Sequence, residues 1–323
     1  MELVNTNHLM ANSEVHFIKH FLALKAASNK ATANLYERSI KDFFQVACVE
    51  DVTLDDVINV NYLVVEKYII KLGDKYSSAT IHNKISAMAS LYRWLLKHRD
   101  NRSGKTLIYY NPFANLQESL PKVINKETEF LTMDECRLLL DSFLVEDIVE
   151  LRDKLIFALA FTTGIRKNEL ISIKLEDVIT IGEHTGIKVV RKGGHKDTVK
   201  VKESVKQLMD AYVNRTSRCY QNHGDRYLLI GHSNVNINKV DANKKLATTT
   251  INRMVKKRCE QVGITRNITV HSTRHTAITL AILGGASIEK VRDFAGHSNI
   301  ATTSRYVHSV NRFEDNAADY ISL

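Results

Sequence analysis

Only two of the 323 residues are proline and four are cysteine, and each scarcity narrows what the chain can be. Cys48, Cys136, Cys219 and Cys259 stand far apart. With no close pair to begin a zinc site or a compact disulfide framework, they read as four reduced packing thiols. No window approaches the apolar run needed to cross a bilayer. Met1 to Asn12 also lacks the basic segment followed by an apolar stretch that marks a secretory signal. These absences predict a cytoplasmic protein without a membrane partner. There is no internal repeat and no low-complexity tract.

What is present is an ordinary globular composition, 44% apolar and 25% charged, in a chain longer than one compact core usually uses. Two domains are expected. The formal charge is +9 and the isoelectric point is near 9.2, so the chain should be drawn to polyanions, most often nucleic acid. The two prolines, Pro112 and Pro121, stand close together in the stretch from Tyr110 to Lys122. Proline removes a backbone donor and restricts the residue before it, which makes this stretch the natural linker.

The resulting division is a first domain over 13–110, a linker over 111–128 and a second domain over 129–323. Upstream of the linker lie four stretches with helical spacing. The clearest is Thr80 to Lys97, where Ile81, Ile85, Met88, Leu91, Tyr92 and Leu95 share one face. Lys84, Arg93 and Lys97 lie on the same helix, as a DNA-backbone contact or as a solvated face.

Downstream the pattern is mixed. Thr132 stands three residues before Glu135 as a capping box, and Arg152 to Thr162 reads as a buried helix stopped by Gly164. Ile187 to Val201 reads as two short strands around the Gly193-Gly194 turn, and helical spacing returns from Thr248. The fold class expected is mainly α with a small β-hairpin: a helical first domain and a mixed α/β second one.

Four features of the second half put basic or phenolic groups on these elements. In Thr163-Gly-Ile-Arg166 an arginine opens a helical segment, either to hold an anion in its forked donors or to pair with Glu169. Lys192 stands at the tip of the hairpin, solvated or functional. In His271-Ser-Thr-Arg274-His275 the spacing of three puts His271 and Arg274 on one helix face, where both can donate to one phosphate. No His-Glu-x-x-His pattern accompanies them, so no metal is expected. The last feature runs from Gly296-His297 to Tyr306, with Tyr320 as a nearby alternative.

Gly-Ile-Arg166, a hairpin lysine, His271-x-x-Arg274, Gly-His297 and Tyr306, in this order, resemble the tyrosine recombinase or phage-integrase family. The resemblance runs from about Ser13 to Asn316, since Thr80-Ile81, Tyr92-Arg-Trp94 and Asn111-Pro-Phe113 are similar to the family's core-binding domain and linker. Ala295 before Gly-His297, and Ser272-Thr273 within His-x-x-Arg, depart from the common pattern without removing a catalytic group.

The resemblance implies a site-specific recombinase that acts on double-stranded DNA through a 3′-phosphotyrosyl link, with no cofactor and no metal. It implies Tyr306 as nucleophile, Arg166 and Arg274 on the phosphate, Lys192 as general acid with Lys196 as fallback, His271 in proton transfer and His297 as a donor to the phosphate. It also implies a homotetramer joined through a C-terminal helix that includes Phe313 and Ala317 to Ile321, and, with so few residues before the first helix, an architecture without an arm-site domain. Rival readings are a type IB topoisomerase and a non-catalytic DNA-binding regulator.

Overall fold

The computed structural model describes residues 16–99, 106–123, 128–191, 193–220, 226–232 and 245–311. The chain divides into two compact units, residues 1–126 and 127–323. The described elements are mostly helical, with one three-stranded sheet.

The first unit is built from α1 (Phe17–Ser28), α2 (Lys30–Phe44), α3 (Leu54–Ile58), α4 (Tyr62–Gly73) and α5 (Ser78–Leu95). Polar side chains start them. Asn29 accepts the Ala31 and Thr32 amides, Thr53 and Asp56 form a capping box, and Ser77 caps α5. All six residues of the apolar stripe on α5 are buried, each large aliphatic contributing about 1.5–3 kcal/mol of transfer free energy. The short α3 lacked enough turns to show a period. The proline-bearing segment is packed rather than free over its first part. Phe113 and Leu116 are buried in this core, Asn111 Nδ2 donates to the Ala89 carbonyl at 3.0 Å, and His82 Nε2 lies 3.0 Å from the Pro121 carbonyl oxygen.

The second unit centres on α7 (Ile148–Thr163), apolar nearly all round and packed against α9 (Glu203–Arg215), α11 (Val270–Leu283) and the sheet. Ahead of it α6 (Met133–Asp141) starts at Thr132 with both halves of the expected capping box formed. The sheet runs β1 (Val178–Ile181), β2 (His184–Val190), β3 (Lys196–Val201), antiparallel throughout, with Val178 opposite Ile187 and Val190 opposite Lys196. Ile187, Val189, Val199 and Val201 alternate into the core. Strand β1 is the addition to the expected hairpin.

After α7 comes the single turn α8 (Lys167–Leu170); α10 (Thr248–Gln261), α12 (Ile288–Ala295) and α13 (Ile300–Asn311) complete the unit. The cysteine expectation is half corrected: Cys136 and Cys259 are buried packing thiols on helices, whereas Cys48 and Cys219 are exposed, because they stand in connecting segments outside any helix or strand. Among the described residues, no helix is long and apolar enough to cross a membrane.

Candidate active site

Two helix ends and one helix start bring the basic motifs together. Helix α7 ends at Gly164, whose φ of +57° only glycine adopts without strain, and a Cβ there would lie 2.7 Å from a ring carbon of Phe294. Helix α12 ends in the same way at Gly296, φ +57°, where a Cβ would lie 2.7 Å from Arg191 Nε. Between these ends passes the first turn of α11, started by Thr269 and Ser272, and with it Arg274.

Arg274 is 3% exposed; Nη1 donates to the Gly164 carbonyl and Nη2 to the Ala295 carbonyl at 2.6 Å. Both bonds go to neutral carbonyls, so the charge is held without being cancelled. Burial, and then the neighbouring Arg166, lower its pKa to about 10. Arg166 is the N-cap of α8, and its Nη1 donates to Glu169 Oε1 at 2.9 Å while Nη2 reaches the Gly296 carbonyl at 3.4 Å. The pairing with Glu169 is therefore formed, and the same side chain lies close enough to Arg274 for each charge to act on the other.

Tyr306, on α13, packs against the small cluster of Ile278, Val291 and Ala295. Its ring centroid is 4.3 Å from that of His275 and 6.0 Å from that of His297. Burial raises the phenol pKa, and Arg274 and Arg166 work against that rise, so both arginine charges are felt at the oxygen. His297 Nδ1 is 3.0 Å from Thr303 Oγ1, and burial with the three arginines 274, 166 and 191 lowers its pKa to about 4. His271 has an exposed edge, but the shielding of the rest of its ring, with Arg274 and Arg166 near, holds it below the ordinary histidine value.

Lys192 lies outside the described residues, as does the segment from 312 onward that holds Phe313, Ala317 to Ile321 and Tyr320. Lys196 opens β3 and is exposed. In the first unit, Arg93 and Lys97 are exposed, but Lys84 Nζ is bound to Asp42 Oδ2 at 2.8 Å and stands over the Tyr76 ring. Its charge is committed inside the unit, by a partner 42 residues earlier that helix periodicity does not reveal.

Three site residues were not legible in sequence: Glu169 in its double pairing, His275 against Tyr306, and Arg191. Only adjacency to a motif marked them. Among the described residues, no three His, Cys, Asp or Glu side chains are grouped to hold a metal ion.

Residues 129–312 match the phage integrase family, and residues 16–99 match the phage integrase N-terminal SAM-like domain. The chain belongs to the phage integrase family. It is a tyrosine recombinase, an enzyme of site-specific recombination that cuts and rejoins DNA. Its relatives include tyrosine recombinase XerC of Staphylococcus haemolyticus, 30% identical over 233 residues, 72% of this chain and 71% of that one. Tyrosine recombinase XerD of Halalkalibacterium halodurans is 24% identical over 313 residues, 95% of this chain and 94% of its own.

Among solved structures, the XerH site-specific recombinase in its post-cleavage complex with palindromic difH substrate shares the fold. Its TM-score is 0.71 at 20% identity, covering 94% of this chain and 83% of XerH. A lambda integrase dimer bound to a core site matches with a TM-score of 0.62 at 15% identity, over 90% and 93% of the two chains.

Proposed function

We propose that this recombinase cleaves duplex DNA by in-line attack of the Tyr306 oxygen on a phosphate held by Arg166 and Arg274. The observation that carries this is the convergence of Arg166 with Arg274 and Tyr306, both more than a hundred residues further along the chain, with Arg274 hydrogen-bonded to carbonyls instead of carboxylates. A scissile phosphodiester gains charge on its non-bridging oxygens in the transition state, and fixed cations in a partly dry site stabilise it there. The phenol must lose its proton as it attacks. His271, below its ordinary pKa and so neutral at pH 7, has a nitrogen lone pair to accept it.

With His297 also neutral, the tautomer in which Nδ1 accepts from the Thr303 hydroxyl leaves Nε2–H as the donor to a phosphate oxygen. The P–O5′ bond then breaks, the 5′ oxygen takes a proton from Lys192, assigned from sequence with Lys196 as fallback, and the phosphorus stays on Tyr306 as a 3′-phosphotyrosyl ester. A 5′ hydroxyl from a partner duplex reverses the step. The energy of the broken bond is kept in the ester, so the reaction runs without nucleotide, cofactor or metal.

Binding to the duplex backbone is assigned to Arg93 and Lys97; Lys84 joins them only by exchanging Asp42 for a phosphate. Joining two duplexes takes four cleavages, which supports a homotetramer on DNA, and the cytoplasm as its place of action follows from the substrate. The test is denaturant trapping of covalent protein–DNA adducts in the source cells, followed by sequencing, with Tyr306→Phe as control. Adducts at one or a few sites, lost in the variant and formed in chelator, are expected. Adducts scattered over the genome would instead mark topoisomerase action, and none at all would mark a regulator.

A further inference from the structure

Arg191 is the last residue before the hairpin turn, a position where an arginine ordinarily reaches into solvent, yet it is 6% exposed. Its Nη1 donates to Glu169 Oε2 at 3.0 Å and its Nε to Asp197 Oδ2 at 3.0 Å, so one guanidinium spans the carboxylate beside Arg166 and the opposite strand of the hairpin. Its guanidinium also lies so close to Gly296 that only a glycine fits there. Glu169 and Gly296 are the two groups that the Arg166 side chain is hydrogen-bonded to among the described residues. Arg191 touches both.

The remaining nitrogen, Nη2, is buried with no hydrogen-bond partner among the described residues. A buried donor left unpaired costs stability, so a residue chosen for packing alone would not be this one.

We propose that Arg191 is a positioning residue: it fixes the Glu169 carboxylate and the Gly296 turn, and through them sets where the Arg166 guanidinium meets the phosphate. Glu169 gives one oxygen to each arginine, Oε1 to Arg166 and Oε2 to Arg191, and Oε2 also accepts the Arg166 main-chain N–H at 2.8 Å. Without Arg191 the carboxylate is free to turn and take both of its oxygens to Arg166, which draws that side chain away from an incoming anion and cancels its charge. A lysine at 191 keeps the charge but not the fork, and a single ammonium does not hold Glu169 and Asp197 at the positions of two separate guanidinium nitrogens.

This inference rests on the reading of Arg166 as a phosphate donor, and the experiment separates the two. Single-turnover cleavage is measured on a duplex oligonucleotide carrying the site recovered by adduct sequencing, with either the natural phosphodiester or a neutral methylphosphonate at the scissile position. The methylphosphonate lacks one charged oxygen and so depends less on a correctly placed arginine. Arg166→Ala should slow the phosphodiester by about 10³-fold and the methylphosphonate by about tenfold or less.

Arg191→Lys and Arg191→Ala should show the same selective pattern at smaller size, about 30-fold against threefold or less, with DNA affinity and melting temperature of the lysine variant near those of the parent. Should Arg166→Ala be selective while both Arg191 variants slow the two substrates equally or not at all, the positioning role is wrong. Should Arg166→Ala itself fail to discriminate, the reading of Arg166 falls and takes the role of Arg191 with it. If the alanine variant does not fold, the lysine variant decides alone.

Discussion

Histidine is where this site departs most from its ordinary chemistry. Burial first, then neighbouring cations, push His275, His297 and also His232, which accepts or donates to Tyr212 at 2.9 Å, down to a pKa of about 4. In the unfolded chain each returns to about 6.5. A histidine with a depressed folded value binds its proton more readily when unfolded, so it leaves stability intact above about pH 6.5 and drains it as pH falls toward 4. The second unit should therefore lose stability across that window. His275→Phe keeps a ring beside Tyr306 and removes one titrating group, along with a buried Nδ1 that has no hydrogen-bond partner among the described residues. Denaturant midpoints between pH 7 and 4 should show a pH slope reduced by one proton in that variant; an unchanged slope would mean that His275 titrates as it does in water. At this scale the sequence spoke through motif order, which marked Arg166, His271, Arg274, His297 and Tyr306. It was silent on Arg191 and offered Lys84 only as a backbone contact or a solvated residue, because each is fixed by carboxylates brought in by the fold: Glu169 lies 22 residues from Arg191, and Asp42 lies 42 from Lys84.

Elements supply the positions that the residues use, and helix ends matter more than helix middles here. The main-chain oxygens that hold Arg274 belong to Gly164 and Ala295, at the ends of α7 and α12, so each left-handed terminus carries part of the site as well as stopping a helix. Gly164→Ala meets two costs: the positive φ, and the Phe294 ring carbon 2.7 Å away. We expect a destabilisation of about 1–3 kcal/mol and a loss of cleavage beyond it, because the carbonyl under Arg274 has to shift. Gly182 is the control, with φ +58° and open space around it in the β1–β2 turn. Gly182→Ala should cost only the backbone part, about 1 kcal/mol, and leave cleavage per folded molecule unchanged. Equal activity losses in the two variants would show that Gly164 acts through stability alone. Long helices and the hairpin were legible because period and turn chemistry are local signals, as in the α5 stripe and Gly193-Gly194. Strand β1 was not: four residues, half of them exposed, with only β2 for a partner give no alternation to read.

The two large apolar clusters, one running from Ile18 to Leu116 and the other from Leu131 to Val270, imply two units that each carry their own stabilisation. Every residue assigned to bond cleavage belongs to the second, and the exposed Arg93 and Lys97 belong to the first. On the proposed assignment, chemistry and part of the phosphate binding fall to different units, each expected to fold on its own. Fragments 1–126 and 127–323 should each melt cooperatively. The second should still form the Tyr306 adduct on a duplex carrying the recombination site, but bind it more weakly. Each phosphate neutralised by a basic side chain releases a condensed counterion, so the slope of log Kobs against log salt changes by about 0.9 for every phosphate that is no longer neutralised. Comparing that slope for the full chain and for fragment 127–323 therefore measures how many phosphates the first unit neutralises. Arg93→Ala and Lys97→Ala together should flatten the full chain's slope by about 1.8 if both touch phosphate. A fragment with the full slope would place all phosphate binding on the catalytic unit, and the first unit's role would then have to be sought in binding to protein instead of DNA.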